Sequence, residues 1–356
     1  MPTRSHPLPS RIPLIQAPMA GCQDERLALA VSAAGALGSL PAALLAPAAL
    51  DAALQRLDQS GLPYNVNFFA HRMPTPDADR LRGWTERLRP WYAEAGLGEP
   101  PAPQPGRRAF DDEAAEILLA HRPAVVSFHF GLPERRLLDR VRASGAMILS
   151  SATSLAEAQA LQAEGVDAVI AQGIEAGGHR GHFLSTELSA QLPTERLLTL
   201  LVGSLRVPII AAGGIADAAQ AERALALGAS AVQAGTAFLL CREATTSPLH
   251  RRRLQDPAGE TLLTNAFTGG VARGLPNRLT RQIPGVHPDV PPFPWASASL
   301  APLRAWAEAQ DRDDYTPLWC GTQRSQLRTG PAAEVVRQLM PAQAMALAAE
   351  VQRHAD

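Results

Sequence analysis

The sequence predicts an α/β protein: a (β/α)₈ TIM barrel with a second, mainly helical cap formed by insertions. Three observations predict it. Eight short apolar runs alternate with Ala/Leu-rich stretches of helical periodicity. Most of the runs are continuously apolar, as parallel strands buried on both faces require. Polar and Gly-rich residues recur at the C-terminal ends of the runs, where barrels of this kind carry their sites. The 356 residues exceed the ~250 that such a barrel needs, which leaves room for insertions.

The runs that read as strands are Pro13–Ala17, Ala36–Leu40, Tyr64–Phe68, Ala124–Phe128, Ala146–Ser150, Ala168–Ala171, Pro208–Ala212 and Ala231–Ala234. Helix start signals fall between them. Asp24 is placed to cap the first helix and Asp217 to cap Ala218–Leu227, which Gly228 ends. Ser154 and Glu157 have capping-box spacing, with the Glu reaching back to the cap. Two segments break the rhythm. The first is Pro-rich around a helical piece that holds Trp84 and Trp91; the second contains the Pro284–Pro294 stretch. The expected organisation is therefore barrel (1–72), helical insertion (73–122), barrel (123–241), cap or substrate domain (242–321) and a C-terminal helix packing back on the barrel (322–356).

Composition narrows the function. The net charge of -1 provides no basic field for nucleic acid. All 33 basic residues are Arg, so lysine and Schiff-base chemistry are excluded. Cys22, Cys241 and Cys320 are odd in number and scattered, which fits a reduced cytoplasm better than a disulfide framework or a metal site. Gly35, Gly38, Pro41 and Pro47 interrupt the uncharged Ala28–Leu50 stretch, which reads as helix–strand–helix rather than as a membrane span. The Arg251–Arg253 run reads as a solvated helix face.

The chemistry gathers at the strand ends. The first run leads into Pro18-Met19-Ala20, the third contains Asn65 and Asn67, and the fourth runs into His129. The sixth leads into Gln172-Gly-Ile-Glu-Ala-Gly177-Gly178-His179-Arg-Gly181, the seventh into Gly213-Gly214, and the eighth into Gln233-Ala-Gly235-Thr236. So many strand ends point to one large ligand across the barrel mouth. Glycines in the last two loops let backbone N–H groups approach a phosphate, and a helix N-terminus favours an anion. Glycines before His179 let its ring enter a pocket without backbone crowding, and a neutral imidazole there is a candidate base. His129 is either a second pocket histidine or a hydrogen-bonded core residue. Glu175 reads as shaping the turn, Cys22 as packing, and Trp295 as a possible pocket wall.

These motifs resemble the FMN-dependent nitronate monooxygenases, formerly called 2-nitropropane dioxygenases. The resemblance covers most of residues 12–240 and extends more loosely through Phe267-Thr268-Gly269 and Trp319-Cys320-Gly321. It implies an FMN cofactor lying along Pro18, Met19 and Ala20. Asn67 and Gln172 would hydrogen-bond the ring's polar edge, Gly177 and Gly178 would permit close approach, and Gln233 would join the cofactor site. Gly213, Gly214, Gly235 and Thr236 would hold the phosphate. His179 is similar to the family's active-site histidine, with His129 beside it. The implied reaction takes a small-molecule nitronate and O₂ to a carbonyl compound and nitrite, a detoxification in the cytoplasm by a monomer or homodimer. The tyrosines and lysine that better-known bacterial members bring from the cap have no counterpart in Pro292–Ser299. Flavin-type enoyl-acyl-carrier-protein reductases and NADH:quinone reductases share the fold and flavin. Outside that class stand a flavin-free phosphate-sugar isomerase or synthase on the same barrel and a non-catalytic FMN carrier.

Overall fold

A computed structural model describes residues 6–75, 77–256 and 259–340. Six parallel strands come first: β1 (Leu14–Gln16), β2 (Gly38–Pro41), β3 (Tyr64–Phe69), β4 (Val125–His129), β5 (Met147–Ala152) and β6 (Ala168–Gln172). The two-residue β7 (Gly178–His179) follows, then β8 (Ile209–Ala212), β9 (Ala231–Ala234), β10 (Leu262–Thr264) and β11 (Ala272–Gly274). Eight of them form one sheet in the order β1-β9-β8-β6-β5-β4-β3-β2. A parallel bridge between Ile15 and Leu37 brings the two edges together, with Leu37 N–H donating to Leu14 O (2.8 Å) and Gln16 N–H to Leu37 O (2.9 Å). The sheet thus closes as the expected barrel, and each predicted run overlaps one of its strands.

Caps fix where the helices begin. Asp24, Ser154 and Asp217 each accept a backbone N–H in the first turn of the helix they precede. The reciprocal half of the capping box differs from expectation. The Glu157 carboxylate accepts from Thr153 N–H (2.7 Å) and hydroxyl (2.8 Å), one residue before Ser154. Its other oxygen accepts from Phe183 N–H (2.7 Å), so this buried carboxylate ties the helix to the loop after β7.

A second apolar core lies outside the barrel. Trp84, Leu88 and Tyr92 of helix Ala78–Ala95 pack with Leu300, Leu303 and Ala307 of helix Ser297–Glu308. Tyr92 donates its hydroxyl to Ser299 O (2.7 Å) and Trp84 its indole N–H to Ala296 O (3.3 Å), satisfying both polar tips inside that core. Helix Asp112–His121, which the sequence groups with the first insertion, belongs with the barrel: Ala115 and Leu118 join the main core, and the helix packs on Pro47–Asp58 and Arg135–Ala143. Helix Ala332–Leu339 packs on Glu25–Ala33, while residues 341–349, also read as helical, lie outside the described residues.

The Arg251–Arg253 run is not a solvated face. The Arg251 guanidinium donates to the carbonyls of Leu240, Cys241, Ala244 and Thr246, and Arg253 pairs with Asp313. Arg252 is the exposed member. The three-stranded antiparallel sheet β10-β11-β7 is likewise absent from the sequence reading. Among the described residues no helix is long and apolar enough to cross a membrane.

His121 joins two barrel helices by donating from Nδ1 to Asp58 (2.5 Å) and from Nε2 to Asp51 (2.9 Å). Both ring nitrogens face carboxylates, so the protonated form is favoured. Burial pulls the pKa down, but the two carboxylates outweigh it and the net shift is upward. A raised folded-state pKa adds stability that is fully present below the unfolded value of about 6.5 and fades as pH rises through the folded value. His121→Gln is therefore expected to lower the melting temperature more at pH 6 than at pH 9, by thermal denaturation at both. Equal losses would remove the charge from the account.

Candidate active site

A cavity opens at the C-terminal end of the barrel, and every one of the eight barrel strands or the residues just after it contributes to its wall. All fourteen residues singled out from the sequence line it: His179, His129, Pro18, Met19, Ala20, Asn67, Gln172, Gly177, Gly178, Gly213, Gly214, Gln233, Gly235 and Thr236.

The segment after β1 is shaped by two buried amides. Gln23 Oε1 accepts from Met19 N–H (2.8 Å) and from Gln16 Nε2 (2.7 Å), while Gln23 Nε2 donates to Ser39 O (2.6 Å). This frames Pro18–Ala20 as one cavity wall. Asn67 donates its amide to Ser127 Oγ (3.0 Å), which leaves its Oδ1 for a ligand.

The loop after β6 is gripped from several sides. The His179 carbonyl accepts from Gln172 Nε2 (2.9 Å) and from His129 Nε2 (3.1 Å). Gln172 Oε1 accepts from Gly181 N–H (2.8 Å), and β7 pairs with β11 through Ala272 and Arg273. Both ends of Gln172 are thus engaged in the loop, rather than turned wholly to a ligand's edge. His129 Nδ1 accepts from Ser151 Oγ (2.7 Å), so both of its ring nitrogens are also spent. Gly181 makes room for that ring, since a Cβ there would lie 2.6 Å from His129 Cε1. The close approach permitted by Gly177 is to backbone: its Cβ would lie 2.4 Å from the carbonyl carbon of Cys320. Gly178, at φ +73°, takes a left-handed turn that other residues adopt at a cost.

The His179 ring stands among aromatic neighbours, with Phe293 at 5.3 Å and Trp319 at 5.7 Å between centroids. Its Nε2 lies 2.8 Å from Thr268 Oγ1. That hydroxyl also accepts from Gly270 N–H (3.2 Å) and sends its proton toward Gly270 O (3.4 Å). Nε2 is thus engaged by the Thr268 hydroxyl. Burial, then the Arg107 guanidinium, holds the His179 pKa well below its usual value, so the ring is neutral at physiological pH. His129 is pushed down to about 4, chiefly by burial.

The opposite side of the mouth is built for an anion. Gly213 (φ +119°) and Gly214 (φ +68°) are left-handed, and among the described residues the N–H groups of Gly214 and Thr236 have no hydrogen-bond partner. The N-terminus of helix Ala218–Ala226 is not free for a phosphate as expected, because the Asp217 carboxylate already caps it. The anion site is therefore the paired loops themselves. Thr236 Oγ1 accepts from Gly321 N–H (2.9 Å), and Glu175 accepts from the N–H (2.9 Å) and hydroxyl (2.8 Å) of Thr194, which gives Glu175 a structural role. Gln233 Oε1 is buried without a partner, a polar atom a ligand donor would satisfy.

Sequence reasoning missed Arg107, Phe69 and Trp319, all in the cavity wall, and Phe293 against His179. Trp295 is not among the lining residues. Cys22 Sγ lies 3.9 Å from His250 Nδ1, yet burial raises the thiol pKa and lowers the imidazole to about 4, so both stay neutral and Cys22 serves packing as expected.

Comparison with known proteins agrees with this geometry. The model of the nitronate monooxygenase family matches residues 5–342. The chain is 42% identical to a nitronate monooxygenase of Pseudomonas aeruginosa, covering 92% of this chain and 95% of that one. It is 40% identical to one of Paraburkholderia phytofirmans, covering 92% and 91%. Among solved structures, a nitroalkane oxidase from Streptomyces ansochromogenes superposes with a TM-score of 0.82 at 35% identity over 99% of both chains. FabK from Thermotoga maritima shares the fold, with a TM-score of 0.67 at 22% identity over 98% of this chain and 97% of that one. The chain belongs to the nitronate monooxygenase family, and its barrel is that of an oxidoreductase.

Proposed function

We propose that the protein uses FMN and O₂ to oxidise alkyl nitronates, such as propionate 3-nitronate, to a carbonyl compound and nitrite. The observation that carries this reading is a neutral His179 at one side of a cavity whose other side is built for a phosphate. The residues fit FMN: Gly213, Gly214, Gly235 and Thr236 would hold its phosphate, Pro18–Ala20 would flank its ring, and Asn67 Oδ1 and Gln233 Oε1 would accept from its polar groups. Bound there, FMN supplies the electron-accepting chemistry and the reaction with oxygen.

The chain's own residues position and select. A neutral His179 ring holds one nitrogen lone pair, so it can take a proton from the carbon bearing the nitro group. Its depressed pKa makes it a weak base, which suits a substrate that arrives already ionised better than one that must be deprotonated. His129 and Gln172 act by holding the His179 carbonyl, while Thr268 sets the ring. Phe293 and Trp319 pack their rings beside it.

The loop grip generates one expectation. Gln172→Leu keeps the volume but leaves the Gly181 N–H unpaired and the His179 carbonyl with one donor, at a cost of about 1–3 kcal/mol. Urea denaturation should show that loss together with a fall in kcat larger than the rise in KM. Unchanged stability and kcat would show that the amide does not set the loop.

The reaction itself is tested on purified protein. A flavin visible spectrum is expected that changes on anaerobic mixing with propionate 3-nitronate and not with NADH. Rapid bleaching by NADH with indifference to nitronates would move the protein to the reductases, and a colourless protein unable to bind FMN would overturn the cofactor. His179→Ala should stay yellow and lose most of its rate with neutral nitroethane. A wild-type rate in that variant would refute the base.

A further inference from the structure

We propose that Arg107 recognises the negative charge of the substrate, so that the site takes the ionised nitronate in preference to the neutral nitroalkane of the same carbon skeleton. The inference rests on the nitronate reading and adds to it a specificity-determining residue.

Arg107 lines the same cavity as His179. Its position is fixed from both sides. Gly106 N–H donates to Pro294 O (3.0 Å), and Phe110 N–H donates to Phe69 O (2.8 Å). Gly106 lets the segment lie close on the second layer, since a Cβ there would stand 2.2 Å from Ser297 Oγ. The neighbouring Arg108 reaches outward and is paired with Asp111 (2.6 Å) and Glu113 (2.8 Å). Among the described residues Arg107 has no such carboxylate; its hydrogen-bond partner is Ser297 Oγ at 3.4 Å.

A guanidinium offers five N–H donors in a planar fork, and one long bond to a hydroxyl leaves most of them unused. The side chain is half-buried in the cavity wall, so an anion delivered there meets a cation with unused donors and no paired carboxylate. The charged group that bears on Arg107 is Arg304, a second cation, itself paired with Glu308. Burial, then Arg304, pulls the Arg107 pKa down to about 10, which leaves it charged at neutral pH. His71 beside it has neither ring nitrogen partnered and is neutral, pushed down to about 4 by burial and then by Arg107. Among the described residues no carboxylate is paired with Arg107.

The ligand this fits is a planar oxyanion. The two oxygens of a nitronate lie in one plane with the full negative charge spread over them, matching a bidentate guanidinium. A neutral nitro group presents the same shape with partial charges alone. Arg107 is also separate from the phosphate loops. It comes from the segment between β3 and β4, whereas those loops follow β8 and β9, on the other side of the closed sheet.

The test uses the flavin-loaded enzyme with ethyl nitronate and nitroethane, a pair differing only in ionisation, and nitrate as an unreactive planar anion. Arg107→Gln is expected to lower kcat/KM for ethyl nitronate by roughly tenfold to a hundredfold, the size of a lost hydrogen bond to a charged group. The KM for nitroethane should rise less than the KM for ethyl nitronate, because the neutral nitro group gives the guanidinium no full charge to meet on binding. Arg107→Lys, which keeps the charge without the fork, should fall between. Nitrate should bind the wild type by calorimetry and fail to bind Arg107→Gln. A KM for ethyl nitronate equal to wild type in Arg107→Gln overturns the proposal, as does loss of the bound flavin, which would assign Arg107 to the cofactor. If the wild type ignores ethyl nitronate while nitrate binding still depends on Arg107, the nitronate reading fails and the anion site stands.

Discussion

The working face of this barrel depends on a buried cation. Arg180 is completely enclosed, and its guanidinium donates to Gly173 O (2.6 Å), Gln172 O (2.9 Å) and Gln191 Oε1 (2.8 Å). Burying a guanidinium costs several kcal/mol, and hydrogen bonds to a charged group return about 1.5–3 kcal/mol each. Three of them hold the charge, and its pKa, lowered to about 10 chiefly by burial, stays far above neutrality. What the cation gathers is the end of β6, the turn after it and the chain before helix Thr194–Val202. Its own N–H donates to Val271 O (2.8 Å), which joins the loop to β11. His179, the preceding residue, is thereby set in a two-residue strand instead of a mobile loop.

From that anchor the mouth divides into two ends with different chemistry. Toward β8 and β9, glycine backbone supplies N–H groups, and the nearby acids are spent on structure: Asp217 on its helix cap and Glu175 on Thr194. Toward β3 and β4, aromatic rings and neutral histidines surround one guanidinium. Phe130 holds a left-handed φ of +68° that a bulky residue adopts only under constraint, with its ring 4.6 Å from His129 and 5.1 Å from Phe293. The strain sits beside the reacting end, where packing from both layers of the protein overdetermines it.

Much of this was readable in the residues, for reasons that differ by element. A parallel strand buried on both faces, such as Ile209–Ala212, leaves an apolar run that cannot be mistaken for an amphipathic surface. Gly-rich ends of such runs mark the mouth, which is why all fourteen chosen residues reach the cavity. Individual roles were less legible. A motif supplies residue types but not their partners, and Gln172 and His129 found theirs in the His179 carbonyl. Gly177 is needed for a backbone 143 positions along the chain, Cys320, that no local pattern announces. Strands of two and three residues are too short to show periodicity, so β7, β10 and β11 left no trace. Nothing local distinguishes Arg107 from its neighbour Arg108; the packing of Gly106 on Ser297 separates their fates.

The absence of lysine, at first a curiosity of composition, fits the chemistry of this site. An ammonium partly buried in such a pocket would tend to shed its proton, because burial disfavours the charged form and lysine's pKa yields readily. A guanidinium keeps its charge under the same burial. The price of a permanent cation is a weaker base next door, since burial first, and then that charge, keep His179 from holding a proton. The two effects are coupled and point the same way. A site with a strong base and no cation would favour neutral acids that must be ionised; this one favours substrates whose ionisation has already occurred.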